Sequence, residues 1–217
     1  MLVVVLDSAT PAITAAAVEV AADGAVAVLS SRVSIDARAH GELLSPSVAA
    51  VLGEVGKAPA DLDAIVVGVG PGPFTGLRVG LVTAASMADA LGIPAYGVCS
   101  LDGIGAATRG RVLVATDARR REVYWAIYDG GVRVTDPSVS KPADIDTATS
   151  SMAGDGAHLY ASVLDRPLLA EPRYPLAEAL AGVAVERILS RAPSDPLTPL
   201  YLRRPDAVEP GARKPVS

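Results

Sequence analysis

Two stretches of the chain repeat one pattern, and this repetition limits the fold more than any other feature of the sequence. Each stretch opens with an apolar, β-branched strand that ends in aspartate, and two further strands joined at a hairpin turn follow. The strands are Val3–Asp7, Ile13–Val20 and Val26–Ile35 in the first stretch and Arg111–Asp117, Glu122–Tyr128 and Val132–Thr135 in the second. The pattern predicts two related three-stranded meanders.

Helical segments complete the first repeat and indicate an α/β protein. Apolar residues recur at helical spacing after the third strand, at Leu44, Val48, Val51 and Val55. Pro46 favours a helix that starts nearer Ser45 than His40, because proline is tolerated best in a first turn. A buried strand then leads through a loop into a long helix that begins near Thr75. We therefore expect two tandem lobes of β-β-β-α-β-α type.

The repeat also sets the expected domain limits. We place an N-terminal lobe at 1–104, a C-terminal lobe at 105–204 and a polar, Pro/Gly-rich tail at 205–217. A second clear helix, over 176–189, is expected to pack back on the first lobe. With one Cys, no basic N-terminal region and no apolar run long enough to span a bilayer, the chain is expected to be cytoplasmic.

Charge and the scarcity of reactive side chains narrow the function classes. The 217 residues carry 19 Lys and Arg against 24 Asp and Glu, and the net charge of −5 argues against a large nucleic-acid-binding surface. Two His and one Cys leave few groups for a metal site or a Cys–His pair. We expect capping or solvated roles for His40 and His158, a packing role for Cys99, and no catalytic or metal-binding residue.

The Gly-rich loop Gly70–Gly76 is the most distinctive segment of the sequence. It joins a buried strand to a helix N-terminus, where free N–H groups and the helix dipole can bind a phosphate. It lacks the Lys-Ser/Thr pair of a P-loop and the order of a dinucleotide fingerprint. The alternative is a structural turn in which Thr75 caps the helix and the glycines permit tight turns.

A ridge of small residues follows on the next helix, at Gly76, Gly80, Ala84 and Ala88. Few side-chain atoms separate such a ridge from a neighbour, so another helix can approach closely. That helix can belong to this chain or to a partner, and the residues leave both interpretations open.

Polar residues follow the first strand of each repeat. Asp7 and Asp117 end their strands before a turn, as do the metal-orienting aspartates of actin-like phosphotransferases, and Ser8 and Thr10 add suitable hydroxyls. After Asp117 the turn holds Arg119–Arg121 instead of the hydroxyl residues that a phosphate-binding turn of this class requires. The sequence therefore favours a turn-capping role for Asp117. The arginines form a basic hairpin tip that is either solvated or in contact with RNA or a partner.

Several motifs resemble those of the bacterial TsaB (YeaZ) family, over nearly the whole chain up to Pro205. They are Leu6–Thr10, His40–Pro46, Gly70–Gly80, Asp117–Arg120 with Glu122–Tyr124, and Tyr201–Pro205. The block Gly70–Gly80 is the most specific of them. Gly41 and Pro73 depart from the family pattern, since Ser is usual at both positions.

The resemblance implies an actin/hexokinase-like (ASKHA, RNase H-like) α/β fold and the role of a non-catalytic scaffold. Chains of this family pair with the catalytic subunit TsaD. With the ATPase TsaE, the complex transfers threonylcarbamoyl to N6 of the adenosine 3′ of the anticodon in tRNA. The resemblance implies no cofactor of the chain's own, ATP or ADP at the level of the complex, and indirect contact with tRNA. The small-residue face is compatible with a homodimer of the free chain, and the sequence leaves open whether the free chain is a homodimer or a monomer. Neither DNA nor a membrane is an expected partner.

The resemblance also implies a partner surface on the helices that begin near Ser45 and Thr75. The expected interface residues are Leu44, Val48, Val51, Phe74, Gly76, Leu77, Gly80 and Ala84. Asp7, Ser8 and Thr10 are expected to form a vestigial phosphate region. On this view Gly80→Leu blocks pairing and leaves the fold intact. The rival hypothesis is an actin-like ATPase or small-molecule kinase that uses Asp7 and the Gly70–Gly76 turn.

Overall fold

A five-stranded sheet organises the first half of the chain in the computed structural model, which describes residues 1–203. Its strands are β1 (Leu2–Asp7), β2 (Ala12–Val20), β3 (Val26–Ile35), β4 (Ala64–Gly68) and β5 (Ala95–Val98). The order is β3-β2-β1-β4-β5, with β1 to β3 antiparallel and β1, β4 and β5 parallel. Strand β4 is buried throughout, as expected of a parallel strand with both faces covered.

Helices cover both faces of this sheet. Helices α1 (His40–Glu54) and α2 (Phe74–Leu91) lie on one face and α6 (Ala177–Leu189) lies on the other. Three short helices, α3 (Asp102–Gly105), α4 (Asp155–Leu159) and α5 (Ala161–Leu164), pack on the second sheet described below. Because successive side chains of a strand point to opposite faces, Val4 and Leu6 pack in the core under α1 and α2. Val3 and Val5 pack on the other side, under α6. The C-terminal helix is thus part of the first lobe's core.

A second sheet forms from the later strands. These are β6 (Arg111–Asp117), β7 (Val123–Asp129), β8 (Val132–Arg133), β9 (Ser138–Ser140) and β10 (Ser151–Ala153). The order is β10-β6-β7-β8, and β9 also pairs with β7. Val112 and Val114 face a core that includes Ile104 of α3. Leu113 and Ala115 face the opposite core, against α4 and α5.

The two sheets share one connectivity, which confirms the duplicated α/β fold. In each, the first strand lies between an antiparallel second strand and a later parallel strand, β4 beside β1 and β10 beside β6. The second repeat is shorter than expected. Where α1 stands between β3 and β4, the second lobe has a single 3₁₀ turn at Pro142–Asp144 before β10.

Helix α1 begins earlier than the sequence predicts. His40 is its first residue, so Pro46 lies in the helix interior and the expected start near Ser45 is wrong. Pro46 has no N–H, so the carbonyl of Glu42, four positions earlier, lacks its helical donor. Both residues are exposed, and water can therefore solvate that carbonyl. His40 is buried, and its Nε2 donates to the Thr10 carbonyl at 2.8 Å. This tertiary contact holds the first turn of α1 in place.

An extended segment after α6, which we call the C-terminal strap (residues 192–203), joins the two lobes. The N–H of Asp195 donates to the Ala95 carbonyl at 3.1 Å, and that of Leu200 donates to the Val69 carbonyl at 2.8 Å. Arg203 then reaches the second lobe. Within residues 1–203 no helix is long and apolar enough to cross a membrane. The expected tail at 205–217 lies outside the described residues.

Candidate functional site

The turn after β1 holds Asp7 inside the protein. The Asp7 carboxylate has no exposed surface, and it accepts hydrogen bonds from the Ala9 N–H at 3.0 Å and the Ser100 hydroxyl at 2.5 Å. Burial raises the pKa of Asp7 to about 6, although the hydrogen bonds from Ser100 and Ala9 and the charge of His40 lower it. A Cβ at Gly68 would lie 1.8 Å from Asp7 Oδ2, so only glycine fits beside this carboxylate.

Ser8 ties the same turn to helix α2. Its hydroxyl donates to the Gly76 carbonyl at 2.8 Å and accepts from the Gly80 N–H at 3.0 Å. In an α-helix the N–H of each residue donates to the carbonyl four residues earlier, so the Gly80 N–H and the Gly76 carbonyl are the two ends of one helical hydrogen bond. The Ser8 hydroxyl therefore contacts both ends of that hydrogen bond in α2. A Cβ at Gly80 would lie 2.5 Å from Ser8 Oγ, and one at Gly76 would lie 2.8 Å from the Ser8 carbonyl oxygen. The glycines therefore allow α2 to lie directly on the β1 turn.

Thr10 and the Gly-rich loop complete the enclosure. The Thr10 hydroxyl accepts from the Ala12 N–H at 3.1 Å, and the Thr10 carbonyl accepts from His40. Gly70 has φ +90°, and a Cβ at Gly72 would lie 2.2 Å from the Ala9 carbonyl oxygen. The loop backbone thus packs against the turn, and the polar groups of Asp7, Ser8 and Thr10 are engaged within the chain.

The start of α2 differs from the predicted cap. The helix begins at Phe74 with Pro73 at the N-cap position, and no side chain donates or accepts a capping hydrogen bond there. The expectation that Thr75 caps the helix is therefore wrong. The ring of Pro73 fixes φ at the entry to the helix, but it accepts no hydrogen bond from the free N–H groups of the first turn.

Most of the residues predicted to face a partner lie inside the chain. Leu44, Val48, Val51, Gly76, Leu77, Gly80 and Ala84 are buried, and Phe74 is exposed. The small-residue ridge packs on Ser8 and His40, which is the internal alternative raised by its sequence. The expectation that Gly80→Leu leaves the fold intact stays a prediction, and the packing argues against it, because a Cβ at Gly80 would lie 2.5 Å from Ser8 Oγ. A partner surface on α1 and α2 must consist of their exposed residues.

An apolar groove runs between the exposed sides of α1 and α2. Among the residues that line its roughly 480 Å³ are Val48, one of the expected interface residues, and Ala49, Leu52, Gly53, Met87, Ala90 and Leu91. In the described part of the chain Lys57 is the one charged residue of the lining. Gly53 is exposed, and a Cβ there would meet nothing within 4 Å. No internal contact explains a glycine at this position of a helix, where it lowers helix stability.

A second surface lies where the C-terminal strap meets the start of α2. The rings of Phe74 and Tyr201 stack with centroids 5.3 Å apart and an interplanar angle of 24°. The Arg78 guanidinium lies 3.8 Å from the centroid of the Phe74 ring, and its Nε donates to the Tyr201 hydroxyl at 3.0 Å. Phe74 and Tyr201 nevertheless remain 48% and 41% exposed. The sequence gives no sign of this cluster, because Arg78 and Tyr201 are 123 positions apart.

The arginine turn Arg119–Arg121 lies beside this cluster in an unusual backbone conformation. The three residues have φ of +61°, +54° and +62°. A left-handed conformation costs a non-glycine residue about 1–2 kcal/mol. Asp117 stabilises the turn, since its carboxylate accepts from the Arg119 N–H at 2.9 Å and lies 3.5 Å from the Arg119 guanidinium. The predicted turn-capping role of Asp117 is therefore confirmed.

Two adjoining cavities lie between these elements. The larger, of roughly 400 Å³, is lined by residues that include Phe74, Arg119, Arg120, Tyr124, Tyr201 and Arg203. The smaller, of roughly 250 Å³, extends to Ser8, Thr10 and His40 and shares Phe74 and Arg119 with the first. Within residues 1–203 no acidic residue lines either cavity. We call this continuous region the arginine–aromatic cleft.

Asp155 lies against Asp117 in the second lobe. Burial and, to a smaller extent, the charge of Asp117 raise the pKa of Asp155 to about 6. Its Oδ1 has no hydrogen-bond partner among the described residues. Gly154 and Gly156 bring the segment onto β6, since a Cβ at either would lie within 3 Å of the strand's backbone.

The remaining reactive side chains offer little chemistry. Burial raises the pKa of the Cys99 thiol to about 12, so the reactive thiolate is scarce at neutral pH. This agrees with the predicted packing role of Cys99. His158 is partly buried, and its Nε2 has no hydrogen-bond partner in the described part of the chain. Across residues 1–203 no group of three His, Cys, Asp or Glu side chains is placed to hold a metal ion.

Comparison with known proteins identifies the family. The family model described as TsaD, tRNA N6-adenosine threonylcarbamoyltransferase, matches residues 29–167. An uncharacterized protein of Mycobacterium tuberculosis is 50% identical over 205 residues, which cover 94% of this chain and 93% of that protein. The Bacillus subtilis protein TsaB, named for tRNA threonylcarbamoyladenosine biosynthesis, is 39% identical over 92 residues, covering 41% of this chain and 40% of that protein.

A solved structure extends the similarity to the whole fold. YeaZ from Pseudomonas aeruginosa superposes with a TM-score of 0.76 and 27% sequence identity, and the match covers 93% of this chain and 100% of that one. The duplicated sheets, the enclosed β1 turn and these similarities together show that the chain belongs to the TsaB (YeaZ) family and has its ASKHA-type fold.

Proposed function

We propose that this chain acts in the synthesis of threonylcarbamoyladenosine in tRNA, as a non-catalytic subunit that pairs with a TsaD-type transferase. The name of the Bacillus subtilis relative and the family match support the pathway. The groove between α1 and α2 is the observation that carries the pairing, because it is the largely uncharged, apolar surface of the helices that the family resemblance assigns to the partner.

The chemistry of this groove suits a helical protein partner. Apart from Lys57 the described residues of its lining are uncharged, and the small residues among them allow close approach of another helix. Exposed apolar patches of this kind mark protein interaction sites on soluble domains. The same surface would also serve a homodimer, so we expect self-association and pairing with the transferase to compete.

The enclosure of Asp7 supports the non-catalytic part of the proposal. Asp7 has no exposed surface and is held by Ser100 and Ala9, and α2 lies on the turn that follows it. A nucleotide-binding role for this turn would need α2 to move away from it. We therefore assign the reaction to the partner subunit, and we place TsaE and any ATP or ADP at the level of the complex.

A pair of glycine substitutions tests the pairing. Gly53→Leu fills the groove, whereas Gly182→Leu adds the same side chain on α6, where a Cβ would also meet nothing within 4 Å. Both replace an exposed helical glycine, so each is expected to leave stability unchanged or to raise it by up to about 1 kcal/mol. We expect Gly53→Leu alone to prevent co-purification with a TsaD-type protein and to abolish tRNA modification reconstituted with TsaE. Pairing that survives Gly53→Leu, or modification without the second subunit, would contradict the proposal.

A further inference from the structure

We infer that strand β3 is a docking edge for a second copy of this chain. In the inferred dimer the β3 strands of the two copies pair antiparallel between Arg32 and Asp36, and they join two five-stranded sheets into one. The inference does not rest on the proposed function, because the described lining of the α1–α2 groove includes no residue of β3.

The unpaired backbone of β3 is the first observation. The strand is 10 residues long, and within residues 1–203 it pairs with β2 alone. The N–H of Asp36, just after the strand, donates to the Pro11 carbonyl at 2.9 Å and so points toward β2. Backbone groups alternate in direction along a strand, so the N–H and C=O groups of Val33 and Ile35 point outward. Such a row of free groups is a template for another strand.

Exposed apolar side chains on the same segment are the second observation. The register with β2 places Val33 and Ile35 on the sheet face that packs under α6. Both side chains extend beyond the cover of α6, since they remain 54% and 57% exposed. The β-bulge that would twist the edge away lies opposite Ala17 and Val18, toward the other end of the strand. This end of β3 is therefore a regular edge with an apolar face.

The order of the side chains identifies a second copy as the occupant. In a two-fold dimer each contact occurs twice, with the same two residues exchanged between the copies. An axis at Ser34 places Val33 of each copy opposite Ile35 of the other, and the outward N–H and C=O groups of these residues then pair. Opposed β-branched side chains stabilise a pair of antiparallel strands. The segment is thus complementary to itself about Ser34.

The charges at the ends of the segment agree with this register. The axis at Ser34 places Arg32 of each copy opposite Asp36 of the other, which is a pair of opposite charges. Arg32 already forms an ion pair with Glu54 of its own chain, so Asp36 would join an existing pair. An axis at Arg32 would instead place two arginines opposite each other, which is destabilising.

A charge exchange across the inferred contact tests both the dimer and its register. All proteins carry Gly53→Leu, which fills the α1–α2 groove and prevents self-association there. Val33→Lys with Ile35→Lys places like charges in both symmetric pairs, whereas Val33→Lys with Ile35→Glu places opposite charges in them. Val28→Lys is the matched control, because Val28 is an exposed residue of the same strand outside the paired segment. All these side chains are exposed, so the variants should fold as the parent chain does, and circular dichroism checks this.

Sedimentation velocity over a range of concentrations measures the association. We expect a reversible dimer of the Gly53→Leu chain and an association constant at least about tenfold lower with two lysines. The lysine–glutamate variant should recover most of that loss, and Val28→Lys should associate as the parent does. Amide hydrogen exchange of Val33 and Ile35 should slow as the protein concentration rises, because their outward N–H groups become paired.

Three results would overturn the inference. One is a Gly53→Leu chain that stays monomeric at its highest soluble concentration, which would leave the edge to a strand of another protein. Another is equal association of the two-lysine and lysine–glutamate variants, since position 33 would then not face position 35. The third is a loss in Val28→Lys as large as that with two lysines. Failure of the proposed function has a different signature, because Gly53→Leu would then still co-purify with a TsaD-type protein whatever the β3 variants do.

Discussion

Gly80→Ala should destabilise the protein, although the same change is stabilising at most helical glycines. In a helix interior, replacing Gly by Ala gains about 0.8–1 kcal/mol. At Gly80 the added methyl group would lie 2.5 Å from Ser8 Oγ and 3.5 Å from Ser8 Cβ. The Ser8 hydroxyl must then move, and its bonds to Gly76 and Gly80 are lost inside a buried turn. Overpacking and a buried unsatisfied hydroxyl each cost about 1–3 kcal/mol, so after the helix-propensity gain we expect a net loss of about 1–5 kcal/mol.

The companion variants isolate the Ser8 contact. In Ser8→Ala the atom at 2.5 Å is absent and the nearest remaining atom, Ser8 Cβ, lies at an ordinary 3.5 Å. Gly80→Ala should therefore cost little or be favourable in the Ser8→Ala background, with a coupling free energy of at least about 1 kcal/mol. Gly182→Ala, in the open on α6, should stabilise by about 0.5–1 kcal/mol. Urea denaturation of the wild type, the Ser8→Ala and Gly80→Ala variants, the double variant and Gly182→Ala gives these free energies. Stabilisation by Gly80→Ala in the wild-type background, or strict additivity with Ser8→Ala, would refute the reasoning.

Two further predictions follow from buried ionisable groups. The pKa of Asp7 is raised from 3.8 to about 6 in the folded chain, chiefly by burial, so its contribution to stability is full below about pH 4 and is lost as the pH rises through about 6. Asp7→Asn should reduce the fall in unfolding free energy between about pH 4 and pH 7, measured by urea denaturation, and an unchanged pH profile would contradict this assignment. Burial raises the pKa of Cys99 to about 12, so a thiol reagent should modify the native chain far more slowly than the unfolded chain. A stopped-flow assay measures the two rates, and equal rates would show that the thiol is accessible in the native chain.

The strands were predictable because their signals are local. The limits of β3 and β6 agree with the apolar, β-branched runs and the turn residues that bound them. The duplication was predictable for the same reason, since each repeat opens with a strand that ends in aspartate. The start of α1 was not, because His40 is held by Thr10, a residue 30 positions earlier in the chain. No local pattern reports such a contact.

The site residues also differ in whether a local sequence signal or only a long-range contact reveals their role. Asp7 and Ser8 were identified from their place at a strand end, but the contact that explains Gly80 spans 72 positions and is visible only in the fold. A ridge of small residues has the same sequence pattern whether it packs inside the chain or on a partner. Gly53, by contrast, belongs to no such pattern, and only the empty space around it shows that it faces outward.

One contact, between Ser8 and helix α2, both encloses the turn after β1 and positions the side of the α1–α2 groove that α2 forms. Ser8 lies within hydrogen-bond distance of both Gly76 and Gly80, so α2 lies directly on the turn, and this fixes its distance from the sheet. Opening the turn to a nucleotide would require α2 to move outward, and that movement would change the groove that α2 shares with α1. A chain that holds this groove fixed for a partner therefore cannot keep an open nucleotide site at the end of β1. In the proposed pairing, the absence of catalysis and the rigidity of the docking surface both depend on the two glycines beside Ser8.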